Sequence, residues 1–291
     1  MNLLATSLVE TVERGLQTDA ARLTRVSGGR WSLEMANGAS HRLEVQLDGD
    51  WLQFTSHADE SANDIAPEML WRAADRNAAL PAGMRLALSP ARRLELRSDL
   101  LLTDRGDGVN EVREAVAAFP RVWRNEPVPA FKLPPDAAGD LERRCDETGW
   151  SCTRRSSGRL TVALDVTPVV QATVTADGGG VRLEIEVADL GASTMVSRMA
   201  AAALALEITS SFRLVRARVA PHPSQLFFEV QWPGMPTGAE LDAGFGALSA
   251  AIRAAGESFP ALQIENLARD YLVVRGWSAG GSKTNQETTN T

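Results

Sequence analysis

The pattern of apolar and polar positions along this chain predicts a helix at residues 194–212, around which the rest of the chain is arranged. Its sequence is TMVSRMAAAALALEITSSF, in which only Arg198 and Glu207 carry charge. A helix with one apolar stripe covers one neighbouring layer, whereas a helix that is apolar all round must be covered on more than one side. We therefore expect a second layer of structure beyond the sheet on which this helix packs.

Apolar and polar residues alternate with a period of two in the first part of the chain. Residues 31–35 and 43–47 follow this pattern, which is typical of half-buried antiparallel strands. Leu52 and Phe54 continue it in a third strand. Because neighbouring side chains of a strand point to opposite faces, Trp51 is predicted to lie on the face away from the core.

Further amphipathic segments complete an order of α-β-β-β-α-β-β-α. The predicted helices are at residues 4–16, 67–80 and 109–119, and the two later strands are at residues 84–88 and 92–97. Residues 125–135 contain four prolines and are predicted to form an extended linker. The same order then begins again, and it is followed by a run of strand-like composition at residues 271–274.

The second part of the chain resembles the first when the sequence is slid along itself so that Thr24 falls on Thr153. TRVSGGRWSLEM at residues 24–35 then lies on TRRSSGRLTVAL at residues 153–164, with five of twelve positions identical. The same offset places helix on helix, and small loop changes bring Arg85 onto Arg213. Agreement of strand parity, turns and helix order favours a tandem duplication over two α+β domains that share turn residues by chance.

These patterns predict an α+β protein built from two tandem α-β-β-β-α-β-β-α repeats, with helices on antiparallel sheets. We place the two central helices at the seam, so that the repeats form an intramolecular pseudo-dimer. The predicted divisions are a first repeat at residues 1–124, a proline-rich linker at 125–135, a second repeat with a C-terminal extension at 136–277 and a disordered tail at 278–291.

The element order resembles the type III secretion chaperone-like fold, which secretion chaperones share with a group of bacterial proteins of proposed sensory-regulatory role. In that family a single copy usually dimerises, and partner segments wrap along its outer surface. The resemblance therefore implies a dimer-like arrangement within one chain. It covers about residues 1–260 and rests on element order, so it implies no site residue.

Composition narrows the possible partners. The chain has 291 residues and a net charge of −7, and its arginines are adjacent only in the pairs 92–93, 143–144 and 154–155. Binding to nucleic acid or to an anionic membrane needs a clustered basic surface, so neither is expected as a partner. With two cysteines and no basic segment ahead of the first apolar residues, the sequence predicts a protein of the cytoplasm.

Candidate chemical motifs are few, and none is complete. Residues 276–280 match the G-x-S-x-G nucleophile elbow, which needs a strand before the serine, a helix after it and a histidine base. A polar tail follows the serine, and the three histidines are dispersed upstream. Cys145 and Cys152 are too few to ligate zinc, and packing is the expected role of both. We predict no enzyme activity, cofactor or metal.

Tryptophan supplies the candidate binding residue. The chain has seven tryptophans and one tyrosine, and a Trp51 exposed on the outer sheet face near arginine is typical of a partner-binding surface. Packing of Trp51 under the opposite repeat is an equal alternative. The leading hypothesis is a non-catalytic protein that binds a protein segment on its sheet or seam surface, as a monomer or weak homodimer. The alternatives are a small-molecule sensor or enzyme with a pocket between the repeats, and a purely structural role in an assembly.

Overall fold

A computed structural model of the chain describes residues 3–18, 21–35, 42–57, 65–102, 108–126, 133–134, 136–177, 180–220 and 224–277. The predicted disordered tail at residues 278–291 and most of the predicted linker lie outside the described residues, as do His41 and His222.

The described chain folds into eight helices and twelve strands. The helices are α1 (Leu3–Leu16), α2 (Pro67–Asn77), α3 (Gly108–Trp123), α4 (Ala137–Glu147), α5 (Met195–Ser211), α6 (Gly238–Ala255), α7 (Ser258–Leu262) and α8 (Glu265–Val274). The strands of the first half are β1 (Ala21–Ser27), β2 (Arg30–Met35), β3 (Arg42–Asp48), β4 (Trp51–His57), β5 (Met84–Leu88) and β6 (Leu94–Leu101). Those of the second half are β7 (Cys152–Ser156), β8 (Arg159–Leu164), β9 (Val170–Asp177), β10 (Gly180–Asp189), β11 (Arg216–Ala220) and β12 (Gln225–Trp232).

Each half contains one antiparallel six-stranded sheet with the same order of strands. The order is β1-β2-β3-β4-β6-β5 in the first half and β7-β8-β9-β10-β12-β11 in the second. The α+β class and the repetition of one architecture are therefore confirmed. One face of each sheet carries apolar side chains into the core, and the opposite face is polar, as period-two alternation requires.

The offset found in the sequence reappears in local backbone geometry. The pairing of β1 with β2 has a bulge between Arg25 and Ser27, and the pairing of β7 with β8 has one between Arg154 and Ser156. In both turns a glycine with positive φ accepts a hydrogen bond from the third strand, 2.8 Å from Leu47 N to Gly29 O and from Ala176 N to Gly158 O. A bulge followed by a left-handed turn is a specific feature, so its repetition supports duplication.

The element order differs from the predicted repeat in each half, where four strands and not three precede the central helix. In the first half the additional strand is β1, whose sequence ARLTRVS lies at the sheet edge and is exposed from Thr24 onward. An edge strand with one free side and little burial does not need alternating apolar residues, so periodicity could not reveal it.

The strand-like run predicted at residues 271–274 is a second difference, because these residues belong to α8. Ala268 and Leu272 are fully buried on one side of α8, which packs against α5. Burial of that face outweighs the strand preference of Val273 and Val274, since propensity yields to tertiary packing.

The seam between the halves is formed by α2 and α5, as predicted. Each central helix contacts the other and also the edge strand of the opposite half, α2 on β11 and α5 on β5. Residues 200–206 are all buried, and α6, α7 and α8 cover α5 from the remaining side. The second layer expected from the sequence is therefore present. The Arg198 guanidinium donates to the carbonyl groups of residues 190–191. The Glu207 carboxylate accepts a hydrogen bond from Arg275, directly after α8.

Candidate functional site

Two arginines reach across the seam in a reciprocal arrangement. Arg85 of β5 donates through Nε to the Thr209 carbonyl, at 3.3 Å, near the C-terminal end of α5. Arg216 of β11 donates through Nη1 to the Leu80 carbonyl, at 3.1 Å, just beyond the end of α2. Leu80 and Thr209 are repeat partners, because the offset that aligns the two halves places one on the other. Each half therefore places a cation at the end of the other half's central helix, where the helix dipole is negative.

This arrangement corrects the expected equivalence of Arg85 and Arg213. In the strand register, Arg85 lies opposite Arg97 of β6 and Arg216 lies opposite Glu229 of β12. These are corresponding positions of the two sheets. Arg213 lies before β11, because α5 continues to Ser211 and the strand begins later than its counterpart. A single offset cannot follow an elongated helix, which is why sliding the sequence assigned the wrong arginine.

Each arginine of the seam is bound to an acidic group. Arg85 pairs with Asp99, and their side chains are only 2% and 1% exposed. Arg216 pairs with Glu229 and also donates to Gln231 Oε1, at 2.5 Å. Burial lowers the pKa of the Arg216 guanidinium, and Glu229 opposes that shift. Each ion pair lies within one half, and the same two arginines reach carbonyl groups of the other half, so a slip of the halves would leave buried donors and carbonyl groups without partners.

Asn77 completes the seam at the last residue of α2. Its Nδ2 donates to Leu86 O at 3.1 Å and to Ala217 O at 2.7 Å, while its Oδ1 accepts from Leu86 N at 2.7 Å. Leu86 and Ala217 lie in the two edge strands that meet between the sheets. A fully buried amide thus joins β5 to β11 and satisfies backbone groups that no strand partner reaches.

Further charges surround Glu229 on the polar face of the second sheet. Arg218 Nε donates to Glu229 Oε2 at 2.9 Å, and Arg182 lies 3.8 Å from the same oxygen. Arg218 also binds Glu184 at 2.7 Å and lies over the ring of Phe227. All of these residues belong to strands of the second half, so the cluster stabilises that sheet around the carboxylate that holds Arg216, and Arg182 Nε is buried there without a hydrogen-bond acceptor.

Trp51 lies on the sheet face predicted for it, opposite in parity to the buried Leu52 and Phe54. Its ring is half-buried, and the guanidinium of Arg213 is 5.8 Å from the ring centroid. Arg213 also pairs with Asp48, which is directly opposite Trp51 in the strand pairing. The arginine neighbour expected for Trp51 is therefore present and comes from the second half. A role in partner binding stays a prediction.

An open depression lies over strands β2, β3 and β4 of the first sheet. Its volume is about 170 Å³, and its polar lining includes Arg30, Arg42, Gln46 and Gln53. Sites that enclose a drug-sized molecule usually have at least ~300 Å³. The depression lies within the first half, so it is not the pocket between the repeats that the sequence left as an alternative.

The C-terminal helix α8 is fastened to α5 by polar contacts around Glu207. Tyr271 donates its hydroxyl to Glu207 at 2.9 Å, and Arg275 donates through Nε to the same carboxylate at 2.8 Å. The Arg275 guanidinium also lies 3.7 Å from the centre of the Tyr271 ring. Burial, followed by the nearby Glu207 charge, raises the pKa of Tyr271 well above its usual value near 10.

Tyr271 should remain protonated in the folded protein when free tyrosine has already ionised. It is the single tyrosine of the chain, so the near-ultraviolet absorbance of tyrosinate reports on it alone. Because its folded pKa is raised, this group's contribution to stability is complete below about pH 10 and is lost as the pH rises further. We expect no ionisation near pH 10 in the native protein and ordinary ionisation in guanidinium chloride. Equal titration curves would contradict burial of the hydroxyl.

An exposed apolar row, here called the α8 stripe, runs along a second side of α8 from its N-cap residue: Ile264, Leu267 and Val274. These side chains are 57%, 46% and 82% exposed. Spacings of three and seven residues keep one face of a helix. Among the described residues, four of the eight exposed large hydrophobic side chains lie at positions 264–274. Sequence reasoning missed this surface because it assigned part of the segment to a strand.

The motifs that the sequence analysis judged incomplete can be located in the described residues. A helix and not a strand precedes the G-x-S-x-G sequence, and its serine at position 278 lies outside the described residues. Cys145 is buried and Cys152 half-buried, both as free thiols. In the part of the chain that the structure describes, no group of three histidine, cysteine or acidic side chains could hold a metal ion. No described helix has the length and apolar character to cross a membrane.

Comparisons with protein-family models, with curated proteins and with solved structures found no match for this chain. The resemblance to the type III secretion chaperone-like fold therefore stays a prediction, and so does a location in the cytoplasm.

Proposed function

We propose that this chain is a non-catalytic binding protein that takes an amphipathic helical segment of another protein on the α8 stripe. The supporting observation is the concentration of exposed apolar side chains on one short helix. Exposed apolar rows cost free energy in water and mark interaction sites when they are contiguous. The seam, which the sequence also suggested as a binding surface, is filled by side chains from both halves.

The geometry of the α8 stripe favours a helix as its occupant. The stripe is one side chain wide and about 15 Å long, from a rise of about 1.5 Å per residue. Its spacing matches the apolar seam along which two helices pack. A structural role in a flat assembly would need a broader patch. Asp270 is exposed beside Leu267 and Val274, and the chain has a net charge of −7, so a basic flank on the partner helix is favoured.

Site-specific photo-crosslinking in the native host tests this proposal on the full chain. A benzophenone amino acid replaces Leu267 or Val274 in the test variants and Arg269 in the control, because Arg269 is two residues from Leu267 and points away from the stripe. We expect adducts at positions 267 and 274, not at 269, and each should contain a segment with apolar residues at helical spacing. A synthetic peptide of that segment should bind Leu267→Asp at least ~10-fold more weakly than the unchanged protein.

Three outcomes would overturn the proposal. One is crosslinking at position 269 as strongly as at 267, a second is absence of any adduct, and a third is an adduct between two copies of this chain, which would identify a homodimer interface. Trp51→Ala in the crosslinking background tests the predicted role of Trp51, which should reduce the recovered adducts. An identical set of adducts would show that Trp51 contributes only to contact with Arg213.

A further inference from the structure

The two cysteines lie on either side of the turn that joins α4 to β7. Cys145 is in the last turns of α4, and Cys152 is the first residue of β7. The turn is fixed by Thr148, whose Oγ1 donates to Cys145 O at 2.7 Å, and by Gly149 at a φ of 77°. Helix and strand are in contact, and both cysteines pack against one core.

The two thiols lie close enough for each to shift the pKa of the other. Interaction with the Cys145 thiol lowers the pKa of Cys152, and burial opposes that shift. The same contact, together with burial, raises the pKa of Cys145. Cys152 is half-buried, whereas Cys145 is fully buried. The pair thus combines a more accessible, more acidic thiol with a protected neighbour.

We propose that Cys145 and Cys152 form a reversible disulfide in which Cys152 reacts first with a peroxide and Cys145 resolves the product. The Cys152 thiolate attacks one peroxide oxygen, the O–O bond breaks, and a sulfenic acid forms on Cys152 while hydroxide leaves and takes up a proton. The Cys145 sulfur then attacks the Cys152 sulfur and displaces the hydroxyl group as a second water. Two thiols lose two electrons and two protons, and hydrogen peroxide becomes two molecules of water.

The proposal rests on the different exposure of two neighbouring thiols, since Cys152 is half-buried and Cys145 is fully buried. Reactive cysteines that sense oxidants have a lowered pKa, partial exposure and a resolving cysteine within reach. The disulfide would tie α4 to the edge strand β7 in the second half, at the opposite end of the sheet from the seam. A thiol reductant restores both thiols by exchange.

Mass spectrometry of one tryptic peptide tests this assignment. Trypsin cuts after Arg144 and Arg154, so residues 145–154, CDETGWSCTR, carry both cysteines in a single peptide. After hydrogen peroxide and then an alkylating reagent, this peptide from the full native chain should be unalkylated and lighter by two hydrogen atoms. Dithiothreitol should restore double alkylation. An oxidised sample that is alkylated at both cysteines, or linked only between chains, would overturn the proposal.

Two serine variants test which thiol reacts first. In Cys145→Ser the remaining Cys152 should accumulate as a sulfenic acid that a dimedone probe traps. In Cys152→Ser the remaining Cys145 should be trapped at least ~10-fold more slowly, because its pKa is raised and it is buried. Equal rates, or faster trapping in Cys152→Ser, would contradict the assigned order. Circular dichroism of both variants ensures that the native fold is being compared.

Discussion

Arg85→Met is expected to lower the free energy of unfolding by about 3–5 kcal/mol, the usual cost when one member of a buried ion pair is removed. The substitution leaves the Asp99 carboxylate almost fully buried without its cation. It also removes donors from the carbonyl groups of Thr209 and Phe212, which belong to the other half. Urea unfolding followed by circular dichroism measures the change, with the slope showing whether the two halves still unfold together.

Two further variants test whether the loss of stability in Arg85→Met comes from the buried ion pair at the seam. Arg85→Met/Asp99→Asn removes the unpaired charge but keeps a carbonyl oxygen that can accept from Leu214 N, as Asp99 does at 2.9 Å. It should recover a large part of the lost stability. Arg143→Met breaks exposed ion pairs on α4, which water and salt screen, so it should cost far less stability than Arg85→Met. If Arg85→Met and Arg143→Met were equally stable, the seam would not depend on its buried charges.

The sequence predicted those parts of the fold in which burial leaves a pattern. Strands β3 and β4 bury alternate residues, and α5 is buried nearly all round, so both kinds of element follow from period and composition. The duplication could be found because β1 and β7 keep the same turn and bulge. Edge strand β1 and helix α8 were not predicted, since the first buries little and the second is determined by contact with α5.

The candidate site was harder to predict, because its parts are distant in sequence. Trp51 could be assigned to the outer face by parity, but its neighbour Arg213 comes from the second half of the chain. Arg85 and Arg216 look like ordinary strand arginines until the two halves are packed together. The α8 stripe shows the opposite case, in which helical spacing is visible in the sequence only after the segment is known to be a helix.

The extension after the second repeat explains why α2 and α5 differ although they are repeat partners. Only the second half has an extension after its last repeat helix, and α8 of that extension covers α5. In α2 the corresponding outer positions include the exposed Met69 and Arg72. The additional helix therefore allows α5 to be apolar nearly all round, and it introduces a new outer surface in the α8 stripe. The two halves therefore differ most through α8, which lies outside the repeated elements.

Gly244→Ala is expected to destabilise the protein by about 1–3 kcal/mol, the usual cost of overpacking a core. Gly244 is buried on α6, where the helix packs on β12. An added Cβ would lie 2.5 Å from Cζ2 and 2.7 Å from Cη2 of Trp232, closer than carbon atoms approach. The Trp232 ring is itself buried and cannot move into solvent. Thermal or urea unfolding measures the loss, and changed Trp fluorescence should accompany it.

Gly246→Ala is the matched control, because it makes the same change two residues further along α6. An added Cβ at Gly246 meets no atom within 4 Å, and its backbone is helical. Alanine in a helix interior is about 0.5–1 kcal/mol better than glycine, so this variant should be more stable than the unchanged protein. Opposite signs at two neighbouring glycines would establish that α6 touches the sheet closely at Gly244. Stabilisation by both substitutions would mean that α6 lies farther from Trp232 than described, and the core of the second half would then need a different packing.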